Sequence, residues 1–214
     1  MSLLPFNRFL GLRLVPLCIR LGISANQVTA LSLLAGLTGC PLLIEGNAGS
    51  LLLGTLCFVL ANILDEADGG VARATGTSSG FGSWLDTGVG CVVHAGFFFS
   101  LGWGLWSYLG HPSWVWLGAA TSLGVVASTV SYLVSQVWAR GREALLHPDP
   151  PRGPSPDPLD ALKMNLRSDF SLIVLAAALL GVLGWILWGA FVGTFLFWIP
   201  ADLRMAARLR RPIS

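Results

Sequence analysis

Long apolar stretches, separated by short polar turns, follow one another along most of the chain. They cover Gln27–Leu43, the residues from Leu51 to the first acid of an acidic stretch at Asp65, Phe81–Leu109 and Trp114–Trp138. A helix needs roughly 20 predominantly apolar residues to cross a bilayer, and these stretches are near that length. The pattern therefore predicts four successive transmembrane helices.

Two further apolar stretches, Asp169–Trp185 and Ile186–Ile199, predict a fifth and a sixth span with a turn near Gly181–Gly184. The N-terminal segment is different, because residues 1–22 mix apolar side chains with arginines, which is typical of an amphipathic helix on a membrane surface. The sequence thus predicts one all-α polytopic membrane domain over residues 1–214, with an interfacial helix at 1–22 and a bundle of six transmembrane helices within 27–209. Residues 140–163 hold six of the chain's 12 prolines and predict an irregular loop.

The composition agrees with a membrane protein. Of the 214 residues, 54% are hydrophobic and 11% are charged, a balance that is wrong for a soluble domain. The net charge of +2 gives no reason to expect a nucleic-acid partner. The four cysteines are scattered without the spacing of a metal site, which predicts packed thiols.

The distribution of positive charge predicts the topology. All 13 Lys and Arg residues lie in the N-terminal segment, at Arg73, between Arg140 and Arg167, or in the C-terminal tail. Six spans would place these four regions on one face, and the positive-inside rule makes that face cytoplasmic. We therefore expect a multi-pass protein of the cell membrane with both termini, the loop at 140–163 and the acidic stretch on the cytoplasmic side.

The acidic stretch carries the candidate chemistry. Asp65 and Asp68 are three residues apart and share a helix face, and Asp86 lies at a similar depth on the next predicted helix. Converging carboxylates repel unless cations neutralise them, and oxygen ligands suit Mg²⁺ or Mn²⁺. Such ions commonly bridge to substrate phosphates. A helix end that merely meets water is the alternative, which the cost of charge at this depth disfavours. Glu66 points about 100° away from Asp65 and is predicted to be solvated or structural.

The run Asp65-x₂-Asp68-Gly69-x₂-Ala72-Arg73-x₈-Gly82-x₃-Asp86 resembles the signature of the CDP-alcohol phosphotransferase family. The resemblance implies an enzyme of phospholipid biosynthesis that transfers a phosphatidyl or similar group from a CDP-linked lipid donor to an alcohol, releasing CMP. It implies a divalent cation, Mg²⁺ or Mn²⁺, held by Asp65, Asp68 and Asp86, and often a homodimer. It further implies a nucleotide site lined by Asp65, Asp68, Gly69, Ala72, Arg73 and Gly82.

One position departs from the family's pattern. The family has a fourth aspartate four residues after the third, as presumed general base and second-metal ligand, and here that residue is Gly90. Three interpretations stay open: a member that binds nucleotide or lipid, or serves as an assembly partner, without turnover; an enzyme with an altered active site; or an enzyme whose base comes from elsewhere. His94, one helical turn further, is the candidate substitute base, and a hydrogen-bonded packing histidine is the alternative.

Basic residues near the predicted cytoplasmic mouth are candidates for binding the acceptor. Lys163, Arg167 and Arg204 would suit a phosphorylated alcohol, although ordinary positive-inside charge explains them as well. A small transporter would also show six spans, but usually with broken helices or two similar halves, and the halves here do not match. The predicted partners are therefore a CDP-linked lipid donor, an alcohol or phosphorylated alcohol, and membrane lipids.

Overall fold

The structure, a computed structural model, describes residues 5–140 and 169–195, without the side chains of 135–140. These residues form helices and no strand, which confirms the predicted all-α fold. In chain order the helices are α1 (Phe6–Arg20), α2 (Ala25–Glu45), α3 (Ala48–Thr75), α4 (Gly80–Leu109), α5 (Ser113–Arg140), α6 (Phe170–Leu179) and α7 (Leu183–Gly193).

Four of the helices in the described ranges, α2 to α5, are long and apolar enough to cross a membrane. The bounds of α2, α4 and α5 agree with the predicted spans to within two residues, whereas α3 continues ten residues beyond the predicted end at Asp65. Helices α6 and α7 are apolar but have only 10 and 11 residues, and ~1.5 Å of rise per residue leaves each well short of a ~30 Å hydrocarbon core. Part of the predicted sixth span, residues 196–199, lies outside the described residues, as does nearly all of the proline-rich loop.

The predicted boundary between the fifth and sixth spans at Trp185 is wrong. Helix α6 already ends at Leu179, and Trp185 belongs to α7. The chain turns at Gly181, whose φ of +71° lies in the left-handed region where a side chain would be strained. The turn itself was expected near Gly181–Gly184, so only the residue at which the helices divide differs.

Local capping sets the starts of the long helices. The Ser24 hydroxyl accepts a hydrogen bond from the Gln27 backbone, and the Gln27 side chain accepts one from the Ser24 backbone, which completes a capping box at α2. Asn47 caps α3 with the same reciprocal arrangement, and Ser79 caps α4. Polar side chains in the preceding turns thus define where α2, α3 and α4 begin.

Helices α2, α3 and α4 form the centre of the bundle. The rings of Phe58 and Phe97 stack with centroids 4.0 Å apart, and both side chains are almost fully buried. Helices α2 and α3 come close enough that a Cβ at Gly39 would lie 2.9 Å from the Gly54 carbonyl oxygen. Leucines on the outer faces, such as Leu34 and Leu53, are exposed, as expected for side chains that meet lipid.

Helix α1 packs against α3. One face of α1 is buried against the protein, and its buried residues are Asn7, Gly11, Val15 and Cys18. The other face exposes apolar side chains, among them Phe6, Phe9 and Leu17, while Arg13 lies over the Phe9 ring at 4.9 Å from its centroid. This two-sided pattern agrees with the predicted amphipathic helix, and its location at the membrane surface stays a prediction.

Candidate metal and nucleotide site

Three carboxylates from two helices converge at one end of the bundle. Asp65 and Asp68 come from the second half of α3, and Asp86 comes from the second turn of α4. One oxygen from each side chain can be chosen so that all three lie within 4.8 Å of one another. The structure therefore brings together the three acids that the sequence grouped by helical spacing and depth.

Asp68 is the most deeply placed of the three and has a hydrogen-bond partner on a third helix. The Thr29 hydroxyl of α2 donates to Asp68 Oδ2 at 2.5 Å, and both residues are 4% exposed. A distance this short is typical of a hydroxyl that donates to a charged carboxylate. The bond fixes one oxygen of Asp68 and thereby the direction of the other.

Sequence reasoning placed Thr29 at the entry to the first span and gave it no part in the site. Local spacing could not have identified its partner, because 39 residues separate Thr29 from Asp68. A polar residue one turn into a predicted span is a general hint of a buried partner, since a polar side chain in the membrane needs one.

The donor set fits a hard divalent cation. The three ligand atoms are carboxylate oxygens, the donors that Mg²⁺ and Mn²⁺ prefer over nitrogen or sulfur. Unit charges held a few ångströms apart in a partly buried place repel strongly, and a bound divalent ion removes that repulsion. Two helices supply the ligands, so the site depends on how α3 and α4 lie relative to each other.

The glycine and arginine positions of the motif lie on α3 and α4, the two helices that carry the acids. The Arg73 guanidinium lies over Gly69, where an added Cβ would come within 3.1 Å of one of its nitrogens. A Cβ on Gly82 would lie 3.2 Å from the Ser79 hydroxyl oxygen and 3.9 Å from Asn26 Oδ1. Gly82 thus faces the start of α2, while Arg73 is exposed and Ala72 half-buried.

The helix face beyond Asp86 is open at Gly90. A Cβ placed there would meet no atom within 4 Å, so the site has room for a side chain that this chain lacks. One turn further, His94 Nδ1 lies 2.8 Å from the Gly90 carbonyl oxygen, and the His94 ring meets the edge of Phe58 at 5.2 Å between centroids. Because a carbonyl only accepts, a hydrogen bond at this contact requires a proton on Nδ1.

The remaining predicted residues divide into two groups. Glu66 is not among the three clustered acids, and its Cβ faces α1, while its solvated or structural role stays a prediction. Lys163, Arg167 and Arg204 lie outside the described residues. Their role at the acceptor site stays a prediction, as does the role of His94.

Residues 23–198 match the family model described as CDP-alcohol phosphatidyltransferase, which covers well over half of the chain and both acid-bearing helices. The chain belongs to the CDP-alcohol phosphatidyltransferase family. It is thus a member of a family of membrane transferases that act in phospholipid synthesis and use a divalent metal ion. No curated protein matches the chain.

Proposed function

We propose that this family member transfers a substituted phosphate group from a CDP-linked lipid donor to an alcohol or phosphorylated alcohol and releases CMP. A bond forms between the acceptor oxygen and the phosphorus, and the bond from that phosphorus to the CMP oxygen breaks. The acceptor's hydroxyl proton leaves with a base. The observation that carries the proposal is the convergence of three carboxylates within 4.8 Å in a chain whose residues 23–198 match the family.

Asp65, Asp68 and Asp86 would hold Mg²⁺ or Mn²⁺ in this proposal. Such an ion supplies positive charge that neutralises and polarises the phosphates of the donor. The chain's own contribution is to hold the ligands in place: Thr29 fixes one Asp68 oxygen, and α3 and α4 bring Asp65 and Asp86 to the same level.

Around the acids, Gly69, Ala72, Arg73 and Gly82 would line the nucleotide and its diphosphate. Arg73 is exposed and presents a guanidinium whose fork geometry matches phosphate oxygens. Glycine at 82 keeps the backbone of α4 accessible beside Ser79 and Asn26. Lys163, Arg167 and Arg204 would bind the phosphate of the acceptor.

A second function, binding of donor nucleotide or lipid without turnover, is favoured by one observation. Position 90 offers open space instead of a carboxylate, so no acidic side chain stands one turn beyond Asp86 to take the acceptor's proton. In that case the three carboxylates and Arg73 still bind metal and nucleotide, and the protein serves as a lipid-binding or assembly partner.

Asp68→Asn tests the metal site that both functions share. The amide keeps the shape of the side chain but removes its charge. Loss of a residue that only hydrogen-bonds to a metal ligand typically costs ~10–100-fold in affinity. We therefore expect the Mn²⁺-dependent affinity for a CDP-linked donor to fall by more than this. Calorimetry in detergent, with and without chelator, measures this affinity. Glu45→Gln, at an exposed acid on the other end of α2, is the matched control and should bind as the parent does.

Unchanged donor affinity in Asp68→Asn, or full binding in excess chelator, would remove the metal site from the proposal. CMP release by the parent chain, measured over a panel of alcohol and phosphorylated alcohol acceptors, then separates the enzyme from the binder.

We also propose that the site faces the cytoplasm in a multi-pass protein, because the Lys and Arg residues favour one side. The homodimer that the family resemblance implies is a separate part of this proposal. In intact cells, a membrane-impermeant thiol reagent should label His111→Cys in the α4–α5 turn. It should leave Ser78→Cys in the α3–α4 turn and Ser155→Cys in the proline-rich loop unlabelled. Labelling of Ser155→Cys with protection of His111→Cys would reverse the orientation.

A further inference from the structure

Helix α1 contacts α3 at backbone distance beside the acidic motif. A Cβ added to Gly11 would lie 2.8 Å from Glu66 Cβ, 2.9 Å from the Ile63 carbonyl oxygen and 3.0 Å from the Ala67 nitrogen. Two of these three atoms belong to the α3 backbone, which cannot move aside as a flexible side chain can. Only glycine at position 11 therefore permits the observed approach of the two helices.

A second glycine contact lies one turn further along both helices. A Cβ on Gly70 of α3 would lie 2.5 Å from Val15 Cγ2 of α1. Val15 is buried in a small apolar cluster with Cys18, Ala67 and Val71, separate from the main core. Two contacts, four residues apart on each helix, fix both the position and the angle of α1 on α3.

These contacts are on the side of α3 opposite the carboxylates. At about 100° per residue, Ile63, Glu66, Ala67 and Gly70 centre roughly 180° around the helix from the face that carries Asp65 and Asp68. If α1 shifts α3, the two carboxylates on the opposite face of α3 would therefore move relative to Asp86 on α4.

The far end of α1 is held by a residue from the start of α6. Asp169 Oδ2 accepts a hydrogen bond from the Phe6 nitrogen at 2.8 Å, and Asp169 Oδ1 accepts one from the Asn7 nitrogen at 2.9 Å. A carboxylate at this place satisfies two backbone donors of the first turn and complements the positive end of the helix dipole. In addition, Asn7 Nδ2 donates to the Ser171 hydroxyl at 2.8 Å in a buried contact.

We propose that α1 positions the acidic face of α3 for metal binding, with Gly11 as the positioning residue and Asp169 as the anchor that keeps α1 in place. The proposal rests on the proposed metal site. It assigns the N-terminal helix a part in the geometry of the three carboxylates, beyond any contact that α1 makes with lipid.

Gly11→Ala tests the proposal through the choice of ion. Mg²⁺ needs near-ideal octahedral ligands, whereas Ca²⁺ accepts flexible sets of six to eight oxygens. A displaced α3 should therefore lower Mg²⁺ affinity by ~10–100-fold, as loss of an outer-shell support does, and lower Ca²⁺ affinity less. Both affinities are measured by competition against the electron paramagnetic resonance signal of Mn²⁺, on full-length protein in nanodiscs. Gly189→Ala, at a helical glycine with open space, is the control and should match the parent.

Asp169→Asn is a second variant that adds no volume and removes one carboxylate acceptor from the α1 terminus. It should shift the Mg²⁺ to Ca²⁺ preference in the same direction by a smaller factor, and it decides the question if Gly11→Ala does not fold. Thermal unfolding in chelator shows whether a variant is folded, and so distinguishes an unfolded variant from a folded one with displaced carboxylates.

Several results would overturn the proposal. Equal loss of Mg²⁺ and Ca²⁺ affinity would make α1 a general stabiliser, and parent-like affinities in folded Gly11→Ala would leave α1 without a role at the site. A parent chain that binds neither ion would refute the metal site and this inference together, whereas the preceding results leave the metal site intact.

Discussion

The two ends of α4 use glycine for opposite purposes. Near the acids, a Cβ on Gly88 or Gly90 would meet no atom within 4 Å. At the other end, a Cβ on Gly102 would lie 2.6 Å from the Trp114 carbonyl oxygen and 2.8 Å from the Gly118 Cα. At the acidic end, glycine therefore leaves open space beside the carboxylates. At the other end, it lets the backbones of α4 and α5 come into close contact.

This difference shows how a helical membrane protein can keep an open site. Close backbone packing at Gly102 and Gly118 fixes α4 against α5 without help from the acidic end. Near Asp86, by contrast, Gly88 and Gly90 leave open space on the same helix, although Val89 between them is buried in the core. The same helix thus combines an open volume beside Asp86 with a closely packed contact to α5 at its other end.

The largest effect is expected from filling the open end. Gly90→Asp adds a carboxylate where a Cβ meets nothing, so the fold should accept it. If the missing base limits turnover, CMP release should rise by the ~10²–10⁴-fold that general-base catalysis contributes. The measurement is CMP release from a CDP-linked donor and an alcohol acceptor.

His94→Ala is the companion variant for that experiment. If His94 already serves as base, its loss should remove an existing activity, and Gly90→Asp should add little. No gain from Gly90→Asp in a protein shown to bind donor and metal would mean that the vacancy does not limit turnover.

A smaller effect is expected from adding one methyl group to the crowded end. Gly102→Ala must push α4 away from the α5 backbone, which should lower stability by about 1–3 kcal/mol, the usual cost of overpacking. Gly88→Ala makes the same chemical change in open space and should leave stability equal or up to ~1 kcal/mol higher through better helix propensity. Thermal unfolding in one detergent compares the two. Equal melting temperatures would abolish the contrast between the ends of α4.

The smallest effect is expected at the hydrogen bond to Asp68. Thr29→Val keeps the shape of the side chain and removes the donor, so Mn²⁺ affinity should fall about tenfold, the lower range for loss of a partner behind a metal ligand. Thr29→Ser keeps a hydroxyl and should recover most of the affinity. If valine binds Mn²⁺ as threonine does, the hydroxyl has no part in positioning Asp68.

Much of the fold followed from the sequence because helical periodicity is local. Apolar length placed α2, α4, α5 and the first part of α3, and three-residue spacing put Asp65 and Asp68 on one face. What the sequence did not reveal was non-local: Thr29 at Asp68, Asp169 at the start of α1, and the neighbours of each glycine. Glycine has no side chain whose chemistry could indicate whether the surrounding space is full or empty.

The hydrogen bonds from the start of α1 to Asp169 also determine when, during synthesis, α1 can reach its final position. Asp169 follows Asn7 by 162 residues, so at ~5–20 residues per second the ribosome produces it roughly 8–32 s after the helix that it caps. During that time α1 exists without its terminal hydrogen bonds, and its apolar face is available to lipid or to chaperones. The first helix can therefore reach its final position only after at least 169 of the 214 residues have been synthesised.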